Sequence, residues 1–283
     1  MVEMESDKIL FADAESSFDY AEFAILGVPF EGTTSFRKGT RLAPTSIRKE
    51  SYNFETYLFD HGTDLEDVAF HDMGNIKCEG LEEMMGGVGD EVGRILQEKK
   101  FPIIVGGEHS LTPPAVSKFG KVGVLILDAH LDFRNKYLNE SNSHACSARR
   151  VAEHVGVGNV LILGVRSMEK QEREDAHDLG LRYIHANRVR ELGIKRILKD
   201  LLWNRIYLSL DMDFLDPAYA PGVGNPEPFG LSPLDVKDCI NVLAGKLVGF
   251  DVCEVSPPFD SGNTSSLAAR FVRELIASVW NTR

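Results

Sequence analysis

Cysteine is scarce in this chain. Four of its 283 residues are cysteine (Cys78, Cys146, Cys239 and Cys253), scattered and without a Cys-x-x-Cys pair. That excludes a small disulfide scaffold and fits reduced thiols in a cytoplasmic protein. Positive charge is in deficit, with 31 Lys+Arg against 43 Asp+Glu and a formal net charge of −12. Phosphate binding needs clustered Lys and Arg, so no nucleic-acid partner is expected. A cationic small molecule, a metal or simply a soluble surface fits the balance better. No apolar run approaches the ~20 residues that span a bilayer, which argues against a membrane partner. The opening residues Met1-Val2-Glu3-Met4-Glu5-Ser6-Asp7 are acidic where a secretory leader is basic. No Gly/Ser-rich or Pro-rich linker, internal repeat or low-complexity segment divides the chain, so residues 1–283 are expected to form one domain.

What the chain does contain is a series of short apolar runs, at 23–28, 103–105, 122–127, 160–165, 206–210 and 247–252. Each is near-continuously apolar or β-branched, as strands buried on both faces should be. Between them Leu81, Met84, Met85, Val88, Val92, Ile95 and Leu96 keep helical spacing. So do Leu267, Phe271, Leu275 and Val279, with Thr264 or Ser265 as the expected N-cap. Strands alternating with helices predict an α/β architecture around a parallel sheet. Two irregular stretches, 135–143 and 217–228, lie where such a sheet places its ligands, in loops leaving the carboxyl ends of strands. A third irregular stretch, 32–44, holds Gly32, Gly39 and Pro44 among Thr, Ser and Arg. Gly86-Gly87-Val88-Gly89 follows no strand and runs into Asp90 and Glu91, which would repel phosphate. It is read as part of a closely packed helix. The charged run 169–178 is read as a solvated helix face.

Three strand ends are dense in metal-capable side chains. They read Val105-Gly106-Gly107-Glu108-His109-Ser110, Leu127-Asp128-Ala129-His130-Leu131-Asp132 and Ser209-Leu210-Asp211-Met212-Asp213. With a strand's period of two, Asp128, His130 and Asp132 project from one face, and so do Asp211 and Asp213. Burying several carboxylates together without counter-charge costs several kcal/mol each, by order of magnitude. A lone Asp-x-Asp often serves as a helix cap or solvated loop. Three such clusters at strand ends call for divalent cations. Adding His109 gives two imidazoles and four carboxylates, a set suited to two metals that share Asp oxygens. Oxygen-rich ligation with some imidazole points to Mn²⁺ over Zn²⁺, while Mg²⁺ would take fewer protein ligands and no His.

The same segments resemble the signatures of the ureohydrolases, the arginase and agmatinase superfamily, over nearly the whole chain. Residues 105–114 match the first signature and 125–132 the second. Residues 209–230 match the third, with Pro217, Pro221, Gly222 and the closing Gly230. The resemblance implies a three-layer α-β-α fold with a central parallel sheet, arginase/deacetylase-like, and two Mn²⁺ per subunit. His109, Asp128, Asp132 and Asp211 would hold one ion, and Asp128, His130, Asp211 and Asp213 the other. It further implies that water activated by the ions attacks a guanidinium carbon, releasing urea and an amine. Asp132, His144 and Glu254 are the implied catalytic residues. His144 would move the proton and Glu254 would pair with the guanidinium. A homo-oligomer, trimer or hexamer, follows by family analogy.

Within that superfamily the chain looks most like agmatinases. Asp132-Phe133-Arg134-Asn135 stands where arginases carry an Asp-Ile-Asn-Thr type loop. Glu254-Val255-Ser256-Pro257-Pro258-Phe259-Asp260 is agmatinase-like, as are Gly27-Val28-Pro29-Phe30, residues 34–39 and residues 51–57. The expected reaction is hydrolysis of agmatine to urea and putrescine, a step of polyamine biosynthesis. Guanidinobutyrase, arginase and formiminoglutamase activities are the alternatives on the same metal core. A single-zinc relative cleaving acylated polyamines fits less well, because His109 and Asp132 exceed its ligand set. A catalytically silent subunit fits less well because no ligand is lost. Cys146 stands where agmatinases commonly place Thr, and a thiol is a weaker hydrogen-bond partner. Arg134 is expected to face outward, because facing the pocket it would repel the distal amine of agmatine and favour a carboxylate.

Overall fold

The computed structural model describes residues 9–283. In chain order its regular elements are β1 (Phe23–Val28), α1 (Ala43–Ser51), β2 (Tyr57–Leu58), β3 (Thr63–Asp64), β4 (Phe70–Asn75), α2 (Leu81–Gln97), β5 (Phe101–Gly106), α3 (Thr112–Val116), β6 (Gly123–Leu127) and α4 (Ser147–Val155). There follow β7 (Val160–Val165), α5 (Lys170–Leu179), β8 (Arg182–His185), α6 (Ala186–Leu192), α7 (Ile194–Lys199), β9 (Ile206–Asp211), α8 (Pro233–Leu243), β10 (Leu247–Cys253) and α9 (Asn263–Trp280). Eight strands form one sheet in the order β4-β1-β5-β10-β9-β6-β7-β8, every pairing parallel. The short strands β2 and β3 pair separately and antiparallel.

Alternation within the apolar runs explains the three layers. In β6, Leu125 and Leu127 join a core with Ile47 of α1, Val236 of α8 and Leu275 of α9. Their neighbours Val124 and Ile126 join a second core with Val88 of α2, Ala115 of α3 and Val151 of α4. Both faces of the sheet are therefore apolar and covered by helices, so the strand reads as an unbroken hydrophobic run. Each fully buried Leu, Ile or Val contributes roughly 1.5–3 kcal/mol over leaving it in water. The expected three-layer α-β-α fold with a central parallel sheet is the observed one.

The departures have local causes. The apolar runs account for the six inner and next-to-inner strands but not for β4 and β8, the two edge strands. These have one neighbour each and carry polar residues (Phe-His-Asp-Met-Gly-Asn and Arg-Tyr-Ile-His) on partly exposed backbone. Helix α9 starts at Asn263 with Gly262, at φ 104°, in the cap position, not Thr264 or Ser265. Asp260 supplies the cap instead, accepting from the backbone N–H of Gly262 and Thr264, both at 2.7 Å. The Thr264 hydroxyl is engaged by the N–H of Gly222. The 169–178 run is helix α5, yet Glu172 on it is buried and accepts from the N–H of Phe133 at 2.6 Å. It is not part of a solvated face.

Candidate metal centre

The sheet order places the carboxyl ends of β5, β10, β9 and β6 side by side. After β5 the chain passes through Gly107, where a Cβ would lie 2.0 Å from the carbonyl oxygen of Phe30. Only glycine allows that close passage, and the path leads into Glu108 and His109. The strand alternation expected for the aspartates reaches only Asp211, the last residue of β9. Strand β6 ends at Leu127, and Asp213 sits in a short 3-10 turn after β9. Backbone capture by the aspartates replaces the alternation. Asp128 Oδ1 accepts from the N–H of His130 at 2.6 Å, and Asp211 Oδ1 from that of Asp213 at 2.9 Å. Each turn folds the second potential ligand back toward the first. Asp132 and Glu254 complete the arrangement with φ of 48° and 62°, a left-handed conformation that non-glycine residues rarely adopt and that clusters at functional sites.

Two groups share one carboxylate. His109, Asp128 and Asp132 offer ligand atoms within 4.8 Å of one another, and so do Asp128, His130 and Asp213. His109 Nδ1 lies 3.2 Å from Asp128 Oδ2, 3.2 Å from Asp132 Oδ2 and 3.6 Å from Asp211 Oδ2. His130 Nδ1 lies 2.8 Å from Asp213 Oδ2 and 3.7 Å from Asp128 Oδ1. The structure thus brings all six predicted ligands together. It adds Cys253, whose sulfur lies within 4.8 Å of ligand atoms of His109 and Asp211. Burial pushes the Cys253 thiol well up, aided by Asp211, so it packs here as a neutral thiol.

The electrostatics show what the pocket demands. Burial and the charges of Asp132 and Asp213 raise Asp128 to about 7. Burial raises Asp211 well above the carboxylate range, with Asp213 and Asp128 adding to it. Burial also opposes ionisation of Asp213, but the facing His130 outweighs it and holds that carboxyl at about 2. Burial disfavours charge on both histidines, yet Asp128 and Asp132 raise His109, and Asp213 raises His130. Protons on imidazole and carboxyl thus stand in for positive charge that the cluster requires. Asp128 Oδ2 is buried without a hydrogen bond of acceptable geometry, although carboxylate oxygens in protein interiors are nearly always paired. A paired set of divalent cations fits this donor set and this orphaned atom.

Beside the cluster lies a cavity of about 280 Å³, lined by Asp132, Arg134, Tyr137, His144 and Glu254 among others, at the small end for small-molecule sites. Glu254 is buried and accepts from the N–H of His109 at 2.8 Å. Burial raises its pKa well above the usual range, with the Glu108 charge adding to it. Burial lowers the pKa of His144, against the pull of Asp132 and Glu108. Arg134 does not face outward. It lines the cavity because Glu169, at 2.9 Å, and Glu172, at 3.9 Å, draw its guanidinium back over Tyr137, whose ring centre is 5.1 Å away. Cys146 points away from the cavity toward the carbonyl of Glu140, at 3.8 Å, and Ala145 lines the cavity in its stead.

Several contributors carry no sequence signal of their own. The 32–44 loop, not placed at a strand end by the sequence, follows β1 and delivers Ser35 to the cavity and Thr33 to His144. Asp251 lies buried beneath the cluster and accepts from Ser209 at 2.7 Å, while the Ser209 hydroxyl lies 3.1 Å from His109 Nε2. Glu227 stands 3.8 Å from His130 Nε2. Such outer contacts orient a ligating imidazole. Among the described residues no helix is long and apolar enough to cross a membrane.

A family model described as the arginase family matches residues 21–277. An agmatinase of Bacillus anthracis is 33% identical over 277 residues, 94% of this chain and 95% of that protein. An N(1)-aminopropylagmatine ureohydrolase of Thermococcus kodakarensis is 36% identical over 262 residues, 89% of this chain and 88% of that one. Among solved structures, agmatine ureohydrolase of Thermoplasma volcanium superimposes with a TM-score of 0.94 at 39% identity, covering 96% of this chain and 94% of that one. The chain belongs to the arginase family and is a ureohydrolase, an enzyme acting on guanidino C–N bonds.

Proposed function

We propose that this ureohydrolase is a binuclear manganese enzyme that hydrolyses agmatine to urea and putrescine. The observation that carries the reading is Asp128, a buried carboxylate shared by two His/Asp groups, whose Oδ2 has His109 Nδ1 at 3.2 Å but no well-formed hydrogen bond. His109, Asp128, Asp132 and Asp211 would hold one ion, and Asp128, His130, Asp211 and Asp213 the other. Ions held there would offset the carboxylate charge and would supply a nucleophilic water near neutral pH. Glu254 pairs with the guanidinium and holds its planar carbon toward the cluster. Asp132, on the cavity wall, orients the attacking water by accepting its hydrogen bond. His144, kept neutral by burial, carries a proton to the amine that leaves.

The tail assignment is supported by the rim. The charge of Arg134 is met by Glu169 and Glu172, so it does not call for a substrate carboxylate. That favours agmatine over arginine, guanidinobutyrate or formiminoglutamate. The small cavity suits a short aliphatic tail. A cytoplasmic homo-oligomer, trimer or hexamer, in polyamine biosynthesis belongs to the same reading. The test is urea release by manganese-loaded protein from agmatine, N(1)-aminopropylagmatine, arginine and 4-guanidinobutyrate, with metal counted per chain. Preference for agmatine with two manganese ions is expected. A single zinc with no second ion refutes the mechanism, and preference for a carboxylate-tailed substrate refutes the tail assignment.

A further inference from the structure

Glu108 is the neighbour of His109 in sequence, but both its carboxylate oxygens are taken by the loop after β1. The residue is buried and gathers that loop. Its Oε1 accepts from the backbone N–H groups of Gly32, Thr33 and Thr34 at 2.6, 2.7 and 2.9 Å, and from the Thr34 hydroxyl at 2.9 Å. Its Oε2 accepts from the Thr33 hydroxyl at 2.7 Å. Three successive N–H groups on one oxygen hold Thr33 in a single place, 75 residues away in sequence.

A threonine hydroxyl has one proton to give and two lone pairs to receive with. The proton of Thr33 goes to Glu108, because a carboxylate only accepts. Both lone pairs are met by His144: its backbone N–H at 3.0 Å and its ring Nδ1 at 2.9 Å. A hydroxyl whose proton is committed elsewhere accepts from Nδ1, so Nδ1 carries the hydrogen. The Ser143 hydroxyl lies 3.3 Å from the same nitrogen, a longer contact than the 2.9 Å of Thr33, so among the described residues every hydrogen bond of this ring falls on Nδ1. Tyr137 packs edge-on against the ring with centroids 5.9 Å apart. The free lone pair is then on Nε2, and the ring lines the cavity.

We infer that Glu108 and Thr33 form a positioning pair that fixes His144 as the Nδ1–H tautomer, leaving Nε2 to exchange protons with the reacting atoms. The inference rests on the reading of His144 as the proton-transfer residue. The proton that Nε2 collects from the attacking water passes to the leaving amine nitrogen as its bond to the guanidinium carbon breaks. The second water proton is lost as the new C–O bond becomes the urea carbonyl, so that the amine leaves, after taking it up, as an alkylammonium ion. The ring ends as the tautomer in which it began. A carboxylate, a hydroxyl and an imidazole thus set the histidine's tautomer through an intermediary, as second partners of functional imidazoles do elsewhere.

Neutron diffraction from the metal-loaded protein at mildly alkaline pD is expected to show deuterium on Nδ1 of His144 and none on Nε2. Deuterium on Nε2 alone overturns the inference, whatever the activity. Thr33→Val keeps the backbone bonds to Glu108 and removes only the hydroxyl. It should lower kcat roughly 10- to 100-fold while KM moves less than about threefold and bound metal stays the same. Thr33→Ser should restore kcat to within about threefold of the wild type. Wild-type kcat in Thr33→Val also overturns the pair. If that variant does not fold, the wild-type diffraction still decides. A wild type with deuterated Nδ1 that releases no urea from any guanidino compound upholds the tautomer and refutes the function.

Discussion

Replacing Asp128 with Asn should strengthen the metal-free protein and abolish its response to metal. The folded Asp128 titrates near 7 against 3.8 for an ordinary aspartate, chiefly because it is buried and then because Asp132 and Asp213 repel its charge. Between those values the folded chain keeps a proton that the unfolded chain has released. The contribution of this group to the stability of the metal-free wild type therefore falls as pH rises from about 4 to about 7, then levels. At one pKa unit per 1.36 kcal/mol, the ionised carboxylate costs about 4 kcal/mol at alkaline pH. Asn removes that cost yet keeps the Oδ1 acceptor for the N–H of His130. At roughly 2 °C per kcal/mol for a chain this long, Tm of Asp128→Asn in chelator above pH 7 should exceed that of the wild type by roughly 5–8 °C. The wild type should instead gain on adding Mn²⁺, by about 2.7 kcal/mol at a hundredfold excess over Kd. Scanning calorimetry of both proteins, with chelator and with Mn²⁺, separates the two effects. A variant that melts below the wild type in chelator, or that still shifts with metal and binds two ions, refutes the shared-carboxylate argument.

Other substitutions probe the remaining parts of the site. His144→Asn should lower kcat for urea release by about 10²–10⁴ with little change in KM, read from steady-state kinetics; a loss confined to KM would make His144 a binding residue only. Arg134→Gln frees Glu169 at the rim and should lower KM for agmatine a few-fold while raising it for 4-guanidinobutyrate. Equal shifts for both substrates would remove Arg134 from tail recognition. Gly107→Ala drives a Cβ into the Phe30 carbonyl, a backbone atom that cannot swing aside, and should cost about 2 kcal/mol or more by denaturant unfolding. A neutral result would mean that β1 and β5 separate more easily than the geometry allows.

How much of the fold was legible follows from burial. The inner strands β1, β5, β6, β7, β9 and β10 are buried along nearly their whole length, so each residue faces one of two apolar cores and the run is continuous in sequence. Strand β4 spends its Asp72 on the guanidinium of Arg48, with Oδ2 to Nε at 2.7 Å, and strand β8 leaves Arg182 and His185 exposed. An edge strand is held by hydrogen bonds to a single neighbour, and nothing requires its side chains to be apolar. The same reasoning covers the cap of α9. Thr264 has the right chemistry for an N-cap, but Gly222, 42 residues away, competes for its hydroxyl and Asp260 takes the role.

The site divides along an energetic line. His109, Asp128, His130, Asp132, Asp211 and Asp213 stand out in the sequence because charged groups at the ends of buried strands are expensive unless something offsets them. An expensive pattern recurring at three strand ends has few explanations. Thr33, Ser209 and Asp251 act through small sets of hydrogen bonds, each bond worth about 1 kcal/mol net. A lone threonine in a loop already rich in Thr and Ser excludes nothing. Such residues become visible only when the fold carries them across 75 to 145 positions to one place, as Glu108 meets Thr33 and Glu254 meets His109. Arg134 shows the same limit from the opposite direction. Its charge suggested an outward orientation, and it faces inward because Glu169 and Glu172, two carboxylates at the start of α5, neutralise it there. The sign of a charge near a site constrains the ligand only after its partners have been counted, and those partners are a property of the fold.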